Sequence, residues 1–463
     1  VTQFGFPIRP GAPEDYETWT PQRAPQASST TEVVAGWTTT KAFGRAVLLV
    51  GVLLFGAVLL RRPDLVVLGA PFAIGIALGV WRRPRALPEV AIEVTDTVLS
   101  EGQPIEGRID VGNPDPVGYH LVLLRATASP WLQIRHLDRP HGLTVPSGSI
   151  VDIPLTGEAV RWGRPVLGPA RAYAVAADGL LVSAGVATGG LRMRVFPVTE
   201  VFEAVEAIPR AAGLVGAHRS RRPGEGGELA GVRRFAPGDR LRRIDWRVSL
   251  RTRELHVAAT LSDRDAEVVL LLDVLHEAGR SGGIRGARSV LDTTVRASAA
   301  IAQHYLHAGD RVAMLEYSVR ARRLRAAGGR RQYLTVLEWL LDVEHRVGGY
   351  EPYAFGPHQV SPNALVIVLT PLLDLRAAAM VARFARAGRF VVAVDTLPPD
   401  LNFRPEGFWG PAATRLWRLE RDNTVGQLRE HGVPVVAWAG TGSLDEVLRG
   451  VSRLAGAPRA VLR

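Results

Sequence analysis

The apolar positions of this chain change their period along its length, and each change marks a different kind of structure. Residues 1–40 show no apolar periodicity and are rich in Pro, Thr, Ser and Gln, the composition of a disordered tail. Two near-continuous apolar runs follow, "AFGRAVLLVGVLLFGAVLL" (42–60) and "LVVLGAPFAIGIALGVW" (65–81), joined by "RRPD". Their lengths lie near the lower end of the roughly 17–25 residues that span a bilayer. A helix buried in a soluble core seldom stays apolar all round. A cleaved signal peptide fits poorly, because the second run follows at once and no small-residue cleavage site separates them. The pattern predicts a transmembrane helical hairpin over residues 41–86. Lys41, Arg45, Arg82, Arg83 and Arg85 lie on its terminal sides, against Arg61 and Arg62 in the loop. The positive-inside rule then puts both termini, and everything after residue 86, on the cytoplasmic side of a cell membrane.

Over residues 87–197 the period becomes two. Short alternating runs such as "VAIEV", "PIEGRIDV" and "HLVLLRA" are punctuated by "GNPDPVG" and "VPSGS". Alternation between closely spaced turns predicts an antiparallel, immunoglobulin-like β-sandwich of about seven strands. Residues 198–264 break that pattern. From 265 to 463, continuous apolar strands ("AEVVLLLDV", "DRVAMLEYS", "NALVIVLTPL", "GRFVVAVDT", "VPVVAWAG") alternate with helical patterns near 288–308, 330–343, 374–387, 421–432 and 443–455. Such runs belong to strands covered on both faces, so this part is predicted to be a doubly wound α/β domain. Its ligands would sit at the carboxyl ends of the strands, which makes Asp273, Thr370, Asp374 and Asp395 the positions of interest.

Composition narrows the chemistry. The net charge is +11 and the basic side is almost purely arginine, Lys41 being the single lysine. A basic balance favours an anionic partner or membrane surface. One lysine before the first apolar run leaves no phosphate-binding G-x-x-x-x-G-K loop and no Schiff-base lysine. The absence of cysteine removes thiol nucleophiles and thiolate zinc sites. Neither G-x-S-x-G nor H-E-x-x-H occurs. His304 and His307 share a helix face, but no third metal ligand accompanies them.

The densest charged stretch is "GEGGELAGVRRFAPGDRLRRIDWRVSLR", Gly224 to Arg251. Arginines and carboxylates interleave there as Arg233, Arg234, Asp239, Arg242, Arg243 and Asp245, a pattern suited to bidentate internal pairs. Trp246 offers a large face for packing or stacking. A nucleic-acid surface would more often be a stripe of one sign, so nucleic acid is not expected as a partner. A structural bracket between sandwich and sheet, held by internal Arg–carboxylate pairs and a packed Trp246, is the first expectation; a docking surface for a protein, or an anion or nucleic-acid site, are the alternatives.

This segment resembles the signature of a bacterial family of unknown molecular function. Members of that family carry a von Willebrand factor A-like domain and are commonly encoded beside MoxR-type AAA+ ATPases. The matching positions are Gly227-Glu228, Arg234-Phe235, Pro237-Gly238-Asp239, Arg243-Ile244, Trp246 and Arg251, with Asp245 beside them. The upstream "RWGRPVLGPARAYAVAADGLL" is similar to the family's preceding segment, and two membrane helices before a sandwich fit its layout. The resemblance implies a von Willebrand factor A-like domain over 265–463. In such domains Mg²⁺ is often held by Asp-x-Ser-x-Ser, a distant Thr and a second Asp. Here the first motif reads Asp273-Val274-Leu275-His276-Glu277, and Pro371 follows Thr370 where an Asp is often found. Leucine cannot coordinate a hard cation, so Asp273 and Thr370 are expected to mark a degenerate site that holds no metal and no cofactor. The expected function is a non-enzymatic, membrane-anchored scaffold. It would work with a MoxR-type AAA+ ATPase on an unknown client and contact lipid through residues 42–81. The alternatives are a hydrolase or transferase using Asp273 and Asp395 as acid and base, or a module binding anionic lipid or nucleic acid.

Overall fold

The computed structural model describes residues 36–198, 223–236, 244–261, 267–319, 322–345, 355–362, 364–399, 401, 408–438, 442, 443, 446 and 449. For 223–231, 233 and 258–261 it describes the backbone alone. The chain divides into two compact units. One holds the described residues of 36–198 with Gly283–Arg285; the other holds the described residues of 223–282 and those from Gly286 onward.

In the first unit a short strand, β1 (Trp37–Thr39), leads into helices α1 (Lys41–Leu60) and α2 (Asp64–Trp81). Both helices are long and apolar enough to cross a membrane, and their surfaces are almost wholly exposed. Thr40 caps α1 by accepting from the Phe43 N–H, and Arg61 closes it in the left-handed region at φ 51°. Pro71 lies inside α2, which continues through it.

The β-strands of this unit are β2 (Glu89–Val94), β3 (Val98–Ser100), β4 (Pro104–Gly112), β5 (Tyr119–Ala128), β6 (Leu132–Ile134), β7 (His141–Val145), β8 (Ile150–Ala159), β9 (Val166–Ala176), β10 (Leu181–Ser183), β11 (Val186–Ala187), β12 (Leu191–Arg192) and β13 (Arg194–Phe196). They form a sheet ordered β2-β4-β8-β6 and another ordered β1-β10-β9-β5-β7, with β11 and β12 also on β9. β13 pairs in parallel with β3. Alternation sends Ile105, Ile109 and Val111 of β4, and Val122, Leu124 and Ala126 of β5, into one shared core. Strands outnumber the expected seven because several are only two or three residues long, too short to show a period.

The expected tail, residues 1–40, needs a correction at its end; residues 1–35 lie outside the described residues. Trp37–Thr39 pairs antiparallel with Leu181–Ser183, and Trp37 is buried. The indole Nε1 donates to Ala86 O at 2.8 Å, the Tyr119 hydroxyl donates to the same oxygen at 3.0 Å, and the two rings lie 5.5 Å apart. Arg83 Nη2 donates to Trp37 O at 2.6 Å. Buried Asp115 accepts from the Arg85 and Ala86 N–H groups at 2.6 and 2.7 Å. Burial pushes its carboxyl up, but the backbone donors of Ala86, Val117 and Arg85 outweigh that and hold it below the usual range. A Cβ on Gly79 would lie 3.1 Å from Leu180 Cδ1 and 3.3 Å from Ala177 Cβ, so glycine permits the close seat of α2. Both ends of the helical hairpin are thereby clamped to the β-strands.

The second unit begins with an antiparallel pair, β14 (Pro223–Arg234) and β15 (His256–Leu261), which flanks helix α3 (Trp246–Thr252). Its main sheet has six strands: β16 (Glu267–Asp273), β17 (Arg311–Tyr317), β18 (Arg323–Ala327), β19 (Leu365–Thr370), β20 (Phe390–Asp395) and β21 (Val435–Ala437). Their order is β18-β17-β16-β19-β20-β21, all parallel except β18. Helices α4 (Val290–His307), α5 (Gly329–Leu340), α6 (Leu375–Arg386) and α7 (Gly410–Glu430) connect the strands. Val269 and Leu271 of β16, Val366 and Val368 of β19, and Val391 and Ala393 of β20 pack with Met380, Val381 and Phe384 of α6. α4 lies against β16, β17 and β19. Burial on both faces explains the uninterrupted apolar strands. The strand order reverses between β16 and β19, and this is where an open α/β sheet leaves a crevice at its carboxyl edge.

Candidate functional site

Three of the expected positions meet at that reversal. Asp273 ends β16 and Thr370 ends β19; the Thr370 hydroxyl donates to Asp273 Oδ2 at 2.6 Å. The other carboxylate oxygen accepts from the Leu275 N–H at 3.1 Å. Asp273 is only 2% exposed. Burial pushes its carboxyl up to about 6, against the smaller opposing effect of the Thr370 and Leu275 bonds. Thr370 Oγ1 in turn accepts from the Leu372 N–H at 3.0 Å, which holds buried Leu372 at φ 51°, a left-handed conformation unusual for leucine. Thr370 pairs in register with Asp395 on β20.

Asp374 and Asp395 are each engaged by a guanidinium. Asp374 caps α6 by accepting from the Arg376 N–H at 2.8 Å; its Oδ2 takes Arg376 Nη2 at 2.6 Å and His276 Nε2 at 3.0 Å. Burial pushes its carboxyl up, but the bonds from Arg376 and His276 prevail and hold it at about 2. Asp395 pairs with Arg421 of α7, and that guanidinium also donates to Pro371 O at 3.2 Å. Glu277, at the position of the second hydroxyl ligand of the metal motif, accepts from the Leu291 N–H of α4 at 3.4 Å. Among the described residues no group of three or more His, Cys, Asp or Glu is placed to hold a metal ion. His304 and His307 lie beside Tyr305 and Tyr333, at ring separations of 5.2 and 6.3 Å.

Within the described part of the arginine-rich segment the tryptophan is not packed, and the charge pairs expected of Asp239, Arg242 and Arg243 lie outside the described residues. Asp245 caps α3: its Oδ1 accepts from the Arg247 and Val248 N–H groups, both at 3.1 Å. The side chain that closes the helix onto β15 is Ser249, which is buried. Its hydroxyl donates to Asp245 O at 2.7 Å and accepts from the His256 N–H at 2.8 Å. Trp246 is 61% exposed and Leu250, one turn on, is 78% exposed. The packed Trp246 is therefore overturned: in a seven-residue helix with one inward face, small Ser249 takes the inward position and Trp246 points out. Arg234 Nε pairs with Glu254 Oε2 at 2.9 Å, an exposed bridge of small energetic consequence. Arg251 is exposed in the last turn of α3, where a cation suits the helix dipole. Glu228 lies on β14 with only its backbone described; Gly238, Asp239 and Arg243 lie outside the described residues.

Sequence reasoning missed His276, Arg376 and Arg421 as partners of the carboxylates. Only Arg376 is signalled by adjacency, in "DLR"; His276 meets Asp374 across 98 residues. Arg421 is one of several arginines on α7 and carries no local signal.

Residues 231–401 match the family model described as "Protein of unknown function DUF58". The match runs from β14 through α3 and the strand-end cluster to the end of β20, less than half of the chain. Uncharacterized proteins of Mycobacterium tuberculosis and Mycobacterium bovis are 41% identical over 61 residues, 13% of this chain and 19% of theirs. The chain thus spans about a fifth of these relatives' length. Among solved structures, the sporulation control protein Spo0M of Bacillus subtilis is similar over 24% of this chain and 49% of its own. Its 11% identity and TM-score of 0.16 carry no argument about fold. The similarity that stands is to a bacterial protein family of unknown function, over a stretch that holds most of the arginine-rich segment and Asp273, Thr370, Asp374 and Asp395 but not Arg421.

Proposed function

We propose that this chain is a membrane-anchored, non-enzymatic scaffold, multi-pass through α1 and α2 and with its large domains in the cytoplasm. It would dock a protein partner through α3. By resemblance that partner is a MoxR-type AAA+ ATPase, and the two would assemble or remodel a client complex. In this proposal the two-sheet unit is an immunoglobulin-like sandwich, and the doubly wound order of β16–β21 is that of a von Willebrand factor A-like domain. The carrying observation is the exposed Trp246–Leu250 face of α3. A tryptophan and a leucine four residues apart occupy one helix face. Exposed aromatic anchors on a short, well-capped element are typical of interaction hot spots.

An acid/base enzyme is favoured by one observation, the Asp273 carboxyl lifted to about 6. Both of its oxygens are already bonded to Thr370 and Leu275, and Asp395 is neutralised by Arg421. That arrangement suits a closed structural cluster better than a reaction site.

The test is crosslinking capture from membranes, with and without ATP, using the wild type and Trp246→Ala/Leu250→Ala. ATP-dependent capture of an AAA+ ATPase that the double variant loses is expected. Equal capture by both, or no such capture by the wild type, would overturn the proposal.

A further inference from the structure

Helix α7 has an apolar surface where a surface helix should be polar. Its inward side carries buried Leu428, half-buried Trp417 and Val425, and Arg421, which reaches Asp395. At 3.6 residues per turn, Leu416 and Leu419 fall on the opposite side, and they are 60% and 61% exposed. Trp409, which caps the helix, is 74% exposed, and exposed Phe408 meets it edge-on at 5.2 Å. Charge is distributed to match. Between Gly410 and Leu419 there is no acidic residue, while Arg415 and Arg418 are exposed along one side of the leucines. The first acids are Glu420 and Asp422.

We propose that the N-terminal half of α7 is a membrane-surface element that rests on an anionic bilayer. Trp409, Leu416 and Leu419 would enter the headgroup–acyl boundary, and Arg415 and Arg418 would reach lipid phosphates. Tryptophan belongs at that boundary because its ring is apolar and its N–H is not. Arginine can lay its stem along the apolar surface and keep its head with the phosphates. A half-helix of this kind binds weakly alone, as interfacial helices of small apolar area do. Here it shares a chain with α1 and α2, so tethering raises its effective concentration at the membrane. The inference therefore rests on the membrane-anchored reading above. A contact with a second copy of the chain is the competing occupant, and the probes below distinguish it from a bilayer.

The chain has no cysteine, so single cysteines can be introduced without background. Leu416→Cys, Leu419→Cys and, on the exposed surface of α1, Val58→Cys would each be labelled with a polarity-sensitive fluorophore in the full chain. The labelled protein would be reconstituted into vesicles containing spin-labelled lipid, made either of phosphatidylcholine or of phosphatidylcholine with phosphatidylglycerol. The Val58 probe should be quenched in both. The Leu416 and Leu419 probes should be blue-shifted and quenched in anionic vesicles, with quenching falling severalfold in pure phosphatidylcholine or high salt. Quenching at Val58 with Leu416 and Leu419 probes left in water would overturn the surface element and leave the anchor standing. Probes shielded from water but unquenched would assign the face to a protein contact and overturn it equally. Absence of quenching at Val58 would remove the anchor and this inference with it.

Discussion

Asp273→Asn should stabilise the β16 region at neutral pH and lose that advantage in acid. The folded-state carboxyl sits at about 6, against an ordinary value of 3.8, because burial removes it from water. Between those two values the native state holds a proton that the unfolded chain has released. Wild-type stability therefore falls as pH rises through that window, and the full cost remains above about 6. A displacement of roughly two units corresponds to a cost on the order of 3 kcal/mol. Asparagine keeps the acceptor for the Leu275 N–H, but its amide must donate to Thr370 Oγ1, whose own proton loses its partner. That rearrangement costs about 1 kcal/mol, leaving a net gain of about 2 kcal/mol at pH 7.5 and little or none near pH 4. The chain has two units that need not unfold together, so a local observable is required. Amide exchange of peptides covering residues 267–275, followed by mass spectrometry from about pH 4 to 8 and corrected for intrinsic exchange, supplies it. If Asp273→Asn is less protected than the wild type by the same factor at every pH, the native carboxyl is charged. A cation would then have to lie against it, contrary to the closed cluster described above.

Reporter fusions at Pro63 and at the C-terminus should report opposite sides of the membrane; same-side signals would refute a spanning hairpin. Calorimetric titration with Mg²⁺ should show no micromolar binding, because Leu275 and Pro371 supply no side-chain ligand and Asp273 is bonded internally; tight binding abolished by Asp273→Asn would refute that. Trp246→Ala should leave the melting temperature nearly unchanged, since an exposed ring leaves no cavity, and a drop equivalent to the 3–5 kcal/mol of a core aromatic would show it packed after all. Asp245→Ala should cost about 1 kcal/mol through the lost cap of α3, whereas Asp245→Asn should be close to neutral; equal losses in both would make the charge, not the cap, the contribution of that side chain.

The elements legible in the sequence are those whose signal is local. The hairpin, the alternating strands and the buried parallel strands each carry a period that survives without knowledge of neighbours, and β16, β19 and β20 fall where the apolar runs place them. Three misreadings have physical causes. β18 reads "RLRAA", an edge strand with too little alternation to stand out from a basic turn. α7 begins at Gly410, eleven residues before the helical pattern near 421–432, because its first turns are apolar on the outward side and so show no single stripe. Trp246 is exposed because Ser249 occupies the inward position of α3, and side-chain size alone gives no warning of that. At the strand ends, Asp273 and Thr370 could be singled out separately. Their mutual bond spans 97 residues and depends on strand order, which no local pattern encodes.

The strand-end cluster and the outward face of α7 are parts of one arrangement. Arg421 lies near the middle of α7 and is held by both Asp395 and Pro371 O, at the ends of β20 and β19, one strand along from the reversal where an α/β sheet would leave a crevice. That contact fixes the rotation of α7: with Arg421 turned inward, Leu416 and Leu419 must face away from the sheet. Leu275 and Pro371, which would weaken a metal site, sit beside the same cluster. A metal at this edge would compete for the carboxylates that Arg376, His276 and Arg421 now satisfy. Internal pairing instead makes the edge a mount for helices, and the surfaces available for partners are those the mount presents rather than the crevice itself. On the proposals above, the first half of α7 is the surface this mount presents for binding, while α3 stands apart on β15.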